Sequence, residues 1–169
     1  VGHSAGMAVS TGIKNTFIGG QAGAATTTSD SNVAVGYNAL TANTTGDSNT
    51  AIGAESLEAN TTGTQNVAVG YRALEDCTTG SANVAVGRQA GKDITTGGEN
   101  VAIGENALSV TTTGDKNIAI GEQALGANTT ADNNVAVGYR SLLSNTTGTY
   151  NAAVGGLALD ANTTGDSNT

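Results

Sequence analysis

One interval governs this chain. Asparagine recurs at Asn15, Asn32, Asn49, Asn66, Asn83, Asn100, Asn117, Asn134, Asn151 and Asn168, a step of 17 residues each time with no insertion or deletion. Glycine keeps the same step from Gly2 through Gly19 and Gly36 to Gly155, and threonine keeps it from Thr11 through Thr28 and Thr45 to Thr164. A typical unit reads Asn-Val-Ala-Val-Gly-Tyr-x-Ala-Leu-x-Ala-Asn-Thr-Thr-Gly-Asp-Ser, as at residues 32–48. Strict self-similarity at such a period marks an array of stacked units, each contacting only its neighbours. About ten periods fill the 169 residues, so residues 1–169 read as a single repeat array. The array opens and closes partway through a unit without distinct capping sequence, so we expect a window of a longer repetitive protein.

The phrase Asn-Val-Ala-Val-Gly has the alternation of a short strand, whose alternate side chains share a face. Val33 and Val35, Val84 and Val86, and Ile118 and Ile120 are β-branched, and we expect them to point into the coil. The residues between them, Ala34, Ala51, Ala68, Ala85, Ala102, Ala119, Ala136 and Ala153, would then form an outward stripe, with Phe17 the one large exception. A solvated strand face is normally polar. A bare methyl stripe admits close approach, so these alanines are the expected oligomer interface. Glycine after the strand predicts a sharp corner. Leu40, Leu57, Leu74, Leu108, Leu125, Leu142 and Leu159 follow, each after Ala or Ser, and are expected to enter the core opposite the strand. Gly6, Gly23 and Gly91 replace this leucine in three coils, so those layers must be thinner or filled from elsewhere. The Ala-Leu segment is expected to be a second short strand, although runs this short are also compatible with a helical turn. The stretch Asn43-Thr44-Thr45-Gly46-Asp47-Ser48 carries turn residues throughout.

One coil buries too few aliphatic side chains to offset the ordering of its backbone, so the fold must come from stacking. Stacked copies superpose identical residues. Asn32, Asn49, Asn66, Asn83, Asn100, Asn117, Asn134 and Asn151 should therefore form a structural ladder of side-chain amides. At a rise of ~4.8 Å per coil, ten coils make a rod about 48 Å long.

Composition narrows the function. The formal net charge is −8, with six Lys and Arg against fourteen Asp and Glu, and aromatics are 3%. That argues against a nucleic-acid partner, which needs a basic stripe, and against adsorption to anionic lipid. No run of ~18 apolar residues is present to span a bilayer, and no membrane contact is expected within this segment. With one histidine, His3, and one cysteine, Cys77, no nucleophile–base pair, metal site or cofactor site can be assembled, and we expect no catalysis. Five aspartates share a column, Asp30, Asp47, Asp115, Asp132 and Asp166, but the other coils carry different residues there, so solvated turns are expected rather than calcium sites. The Thr-Thr pairs suggest an ice-binding array. Adjacent threonines, however, point to opposite faces of a strand, so a structural turn is the stronger expectation. Tyr37, Tyr71 and Tyr139 share an exposed column too sparse for a sugar-stacking platform. Asn43, Asn60, Asn128, Asn145 and Asn162 fit the glycosylation acceptor pattern, which the ladder also explains.

The phrases at residues 32–36 and 117–121, Asn-Val-Ala-Val-Gly and Asn-Ile-Ala-Ile-Gly, resemble the Ser-Val-Ala-Ile-Gly phrase of YadA-like head repeats in trimeric autotransporter adhesins. The resemblance runs the length of the chain in short motifs. It implies a left-handed parallel β-roll, trimeric around a common axis, and with the period of this chain the expected fold is an all-β β-solenoid of about ten 17-residue coils. It also implies display at the cell surface and attachment to a host-surface protein or glycan. This chain's repeat is longer than the family's, because Asn-Thr-Thr-Gly extends each coil. Long arrays of this type also resemble repetitive bacteriophage fibres and secreted bacterial proteins. The expected function is a structural extracellular fibre or adhesin module, a homotrimer that forms a rigid rod. A tail or capsid fibre on a virion surface and an ice-binding β-solenoid are the alternatives.

Overall fold

The computed structural model describes residues 1–169. The chain is an all-β parallel solenoid without helices. Nine three-residue strands lie in one sheet: β1 (Thr16–Ile18), β2 (Val33–Val35), β3 (Thr50–Ile52), β4 (Val67–Val69), β5 (Val84–Val86), β6 (Val101–Ile103), β7 (Ile118–Ile120), β8 (Val135–Val137) and β9 (Ala152–Val154). They stack in chain order, every neighbour parallel. The register is uniform: Ala34 pairs with Ala51, Ala51 with Ala68, and so on to Ala136 with Ala153. Strands this short would not hold alone. Of 109 backbone hydrogen bonds only 16 lie within the strands, so the ladder continues around the whole contour of the coil. It also runs beyond β1, where Gly19 N–H donates to the Val1 carbonyl at 3.0 Å and Gln21 N–H to the His3 carbonyl at 2.8 Å.

The strand presents the opposite face from the one expected. Ala34, Ala51, Ala68, Ala85, Ala102, Ala119, Ala136 and Ala153 are buried within the single chain and belong to its hydrophobic core. The flanking Val, Ile and Thr residues are half-buried or exposed. The reason is the width of the lumen. A Cβ placed at Gly91, in the leucine column, would lie 3.8 Å from the Ala102 Cβ. The leucine wall and the alanine wall therefore touch, and a leucine leaves room for only a methyl group opposite. Two inward β-branched side chains per strand would not fit. The alanine stripe thus lines the core and offers no outer surface to another chain.

The second segment also departs from expectation. It is a succession of turns, with the leucine and the residue two before it in the left-handed region: Asn38 and Leu40 both at φ 55°, Arg72 at 57° and Leu74 at 51°. A strand needs extended backbone at both positions. Alternating handedness instead sends successive amides to opposite neighbours. Asn38 N–H donates to Gly20 O in the coil before, and Leu40 N–H to Ser56 O in the coil after. Left-handed leucine is disfavoured by ~1–2 kcal/mol, and burial of the side chain compensates. Leu40, Leu57, Leu74, Leu108, Leu125 and Leu142 are fully buried. Where leucine is missing, the column holds Gly6, Gly23 or Gly91 in the same conformation.

Those glycine layers are filled from elsewhere. A Cβ at Gly6 would lie 2.8 Å from Phe17 Cδ2, and one at Gly23 would lie 2.5 Å from Phe17 Cε1. The single phenylalanine of the alanine column therefore occupies the volume two leucines would take. At Gly91 the space is closed by Ile94 and Leu74, each 3.0 Å from where a Cβ would stand.

The corner expected at Gly36 is present. Gly36 has φ 143°, and a Cβ there would collide with the Gly53 backbone of the next coil. The asparagines stack as a ladder. Asn49 N–H donates to Asn32 Oδ1 at 2.8 Å, and Asn66 N–H to Asn49 Oδ1 at 3.0 Å. A second asparagine column runs beside it, with Asn60 Nδ2 donating to Asn43 Oδ1 at 2.9 Å. The two columns meet on one carbonyl, since Asn32 Nδ2 and Asn43 Nδ2 both donate to Gly46 O at 3.0 Å. This clamp closes the long turn in the coils that carry Asn43, Asn60, Asn128, Asn145 and Asn162.

Candidate interaction surface

The inversion of the strand places an apolar surface on the outside. Each of nine strands contributes two outward residues. One column runs Thr16, Val33, Thr50, Val67, Val84, Val101, Ile118, Val135 and Ala152, and the other Ile18, Val35, Ile52, Val69, Val86, Ile103, Ile120, Val137 and Val154. Ile18 is 48% exposed, Ile52 40%, and Val86, Ile103 and Ile120 each 37%, so the apolar exposure is sustained along the rod. The two columns carry no ionisable side chain. Contiguous apolar patches beyond a few hundred Å² mark interaction sites. The alanine column expected to carry an interface is buried instead, and these two columns are the outward face of the same strands. The usable signal was tolerance: the outward columns accept Thr, Val, Ile and Ala, whereas the inward column is Ala in every strand but β1.

Around the corner from this face stand Tyr37, Tyr71 and Tyr139, all exposed. The Arg72 guanidinium lies 5.5 Å from the Tyr71 ring centre and Arg140 lies 5.1 Å from that of Tyr139, both in cation–π range. Tyr71 and Tyr139 are thus partly covered by arginines of the same coil, whereas Tyr37 is not.

Charge gathers on the turn wall between the third and sixth strands. Arg72 Nε pairs with Glu55 at 2.8 Å and Glu75 at 3.2 Å, and Lys92 Nζ pairs with Asp93 at 2.5 Å and Asp76 at 3.2 Å. Arg88 pairs with Glu105 one coil on. Carboxylate oxygens of Glu55, Glu58 and Glu75 lie within 4.8 Å of one another, the one grouping with metal-ligand chemistry. Arg72 already pairs with two of them, and Asn38 Nδ2 donates to Glu58 at 3.1 Å. Burial holds the Glu75 carboxyl above its ordinary range, against the pull of Arg72. Hydrogen bonding to Glu55 raises Arg72 further, and hydrogen bonding to Asp93 raises Lys92. The cluster is a lateral tie between coils.

The remaining candidates are occupied by the scaffold. Asp30 Oδ1 accepts from Ile13 N–H at 2.7 Å, Asp47 Oδ1 from Asp30 N–H at 2.7 Å, and Asp132 Oδ1 from Asp115 N–H at 2.8 Å. Of each threonine pair the first hydroxyl donates along the rod, as Thr44 Oγ1 does to Thr61 O at 3.0 Å. The second, such as Thr45, faces solvent in a single column. Asn43, Asn60, Asn128 and Asn145 are fully buried, and Asn162 is half-buried with its amide donating to Asn145 Oδ1 at 2.9 Å. Their side chains belong to the ladder rather than to an accessible acceptor site. Burial pushes the Cys77 thiol up to about 12, so it stays protonated at neutral pH, and its Sγ donates to Gly80 O at 3.6 Å. His3 Nδ1 lies 3.1 Å from Ser4 Oγ at the exposed first coil.

No helix is long and apolar enough to cross a membrane. Comparison with protein-family models, with curated proteins and with solved structures gives no match.

Proposed function

We propose that this chain is a rigid structural module of an extracellular fibre or adhesin, and that copies of it associate through the Val/Ile face of the sheet. The observation that carries the reading is that face: two columns of uncharged, largely β-branched side chains left in solvent along nine strands. An isolated rod would hold this surface in water at a continuing free-energy cost. A second copy of the chain suits it best. Each copy repeats the same two residues at the same ~4.8 Å rise, so facing columns match rung for rung. Eight of the eighteen outward residues are exposed and ten are half-buried, so the two columns offer on the order of several hundred Å² per copy, comparable with about 800 Å² per partner in a standard interface. The net charge of −8 lies off this face, so packing it desolvates no ion. Three copies around an axis is the number implied by the resemblance to YadA-like head repeats. In that arrangement the corner tyrosines and the turn wall stay outside, free to meet a host-surface protein or glycan. A virion fibre uses the same rod in a different setting.

The test is native mass in solution. The intact chain is expected to run as a trimer, and Val86→Glu with Ile103→Glu as a folded monomer with an unchanged circular dichroism spectrum. Both positions are already exposed, so the double variant does not disturb the lumen. A wild-type chain that is monomeric at tens of micromolar would overturn the reading.

A further inference from the structure

The turn wall is filled unevenly. Its mid-turn column reads Met7, Ala24, Thr41, Glu58, Glu75, Lys92 and Ser109, then Gly126, then Leu143 and Asp160. Gly126 is the only glycine in this column, and it opens a depression of about 380 Å³ spanning three coils. Its polar lining is Asn106 and Gln123 from one column and Ser109 and Ser144 from the neighbouring ones, and Leu143 and Ala127 supply the apolar part. None of these side chains ionises, in contrast to the Glu55–Lys92 stretch two coils away. The Gln123 amide is oriented, because its Oε1 accepts from Arg140 Nε at 2.6 Å. Its NH2 remains available to donate. Arg140 is itself held over Tyr139.

We propose that this depression is a binding site for a single neutral sugar ring. The lining supplies two amides and two hydroxyls, groups that donate and accept within one small area, as sugar hydroxyls require. The Leu143 side chain offers an aliphatic patch for the C–H face of the ring. The absence of charge disfavours phosphorylated or carboxylated ligands, which would lose hydration without gaining an ion pair. The volume lies at the lower end of small-ligand sites, which begin near ~300 Å³. The site sits on the turn wall, away from the Val/Ile face, so it is compatible with self-association and does not depend on it.

The experiment is an amide chemical-shift titration of the isotope-labelled chain with galactose, glucose and N-acetylglucosamine, each taken to on the order of 100 mM, since a few hydrogen bonds on an open surface give millimolar affinity. At least one of the three sugars is expected to move the amides of Asn106, Ser109, Gln123 and Ser144 saturably. Gly126→Glu should abolish the effect. Glu58 and Glu75 occupy the same register, and Gly126 has no left-handed φ that would bar a side chain. A new Cβ would lie 3.1 Å from Gln123 O and 3.2 Å from Leu143 Cδ1; a leucine rotamer relieves the second, and Ala24, with the same 3.1 Å turn bond to the carbonyl three residues back, carries a Cβ at this register. Ser144→Ala, matching Ala127 and Ala161 in its column, tests the same point without adding bulk and should weaken binding about threefold to tenfold. The proposal fails if none of the three sugars shifts these amides, or if the shifts persist in Gly126→Glu.

Discussion

In the coil that carries Phe17, the ring fills space that elsewhere belongs to leucine, and Gly6 and Gly23 make room for it. The two kinds of position are therefore one volume shared across the lumen. Phe17→Ala empties that volume and should cost about 2–3 kcal/mol, below the usual range for a fully buried ring because Phe17 is half-buried. Gly23→Leu alone overpacks it. Together they rebuild the common Ala-Leu layer, and Gly23 already has the φ of 60° that the other leucines adopt. The double variant should recover most of the loss, giving a coupling above ~1 kcal/mol in a urea-denaturation cycle. Additive effects would show that the ring and the glycine do not share the lumen. The second asparagine column follows the same logic of shared space. Its run is broken by Cys77, Ile94 and Thr111, and Asn60 Oδ1 is left buried without a partner beside the break. A thiol cannot supply the amide donor that Asn60 itself supplies to Asn43. The ladder is thus weakest around Cys77, in the stretch where the Arg72 and Lys92 ion pairs tie the coils together from outside.

At the scale of the strand, the decisive contrast is between adjacent residues. Ala85 is fully buried and Val86 is 37% exposed. Ala85→Leu should destabilise the folded chain by about 2–3 kcal/mol through overpacking of the lumen. Val86→Thr should leave thermal stability almost unchanged when both chains are measured at a dilution at which copies do not associate. The reverse ranking of melting temperatures would restore the outward alanine stripe. Much of the element was legible beforehand. The period of 17 and the Asn-x-Ala-x-Gly phrase specify stacked parallel strands, the corner at Gly36 and the amide ladder, because each follows from local chemistry repeated in register. Which face turns inward was not legible from alternation, which separates two faces without ranking them. Hydrophobicity favoured Val33 over Ala34 for the core. Lumen width reversed that order, and width depends on the opposite wall, where Leu40 stands. The left-handed leucines were hidden for a related reason. Propensity disfavours them, and only the hydrogen-bonding demands of the coils above and below make Asn38 and Leu40 alternate with their neighbours. The sugar-sized depression at Gly126 was likewise out of reach, since it exists only where three coils place a gap beside Asn106 and Gln123.

The whole molecule is quasi-one-dimensional: each coil bonds the one before and the one after, and nothing connects distant coils. Its stability should then be a sum of coil terms and nearest-neighbour interfaces. That gives a deletion a definite expectation. Removing residues 118–134 joins Asn117 to Val135, which regenerates the Asn-Val junction of the second coil, and every column keeps its register. Asn145 then meets Thr111 with the chemistry Asn128 now uses, an amide donating to Thr111 Oγ1 at 3.1 Å. The shortened chain should fold with the same spectroscopic signature, be about 4.8 Å shorter by small-angle scattering, and show a smaller denaturant m-value in proportion to the surface lost. Removing a run of sixteen residues from the same place would instead shift the strand by one position. Alanines would then face solvent and valines the lumen in every later coil, and the chain should lose its cooperative transition. A sixteen-residue deletion as stable as the seventeen-residue one would mean that the coils do not stack in strict register. The rod would then not be the rigid spacer on which matched association through the Val/Ile face depends.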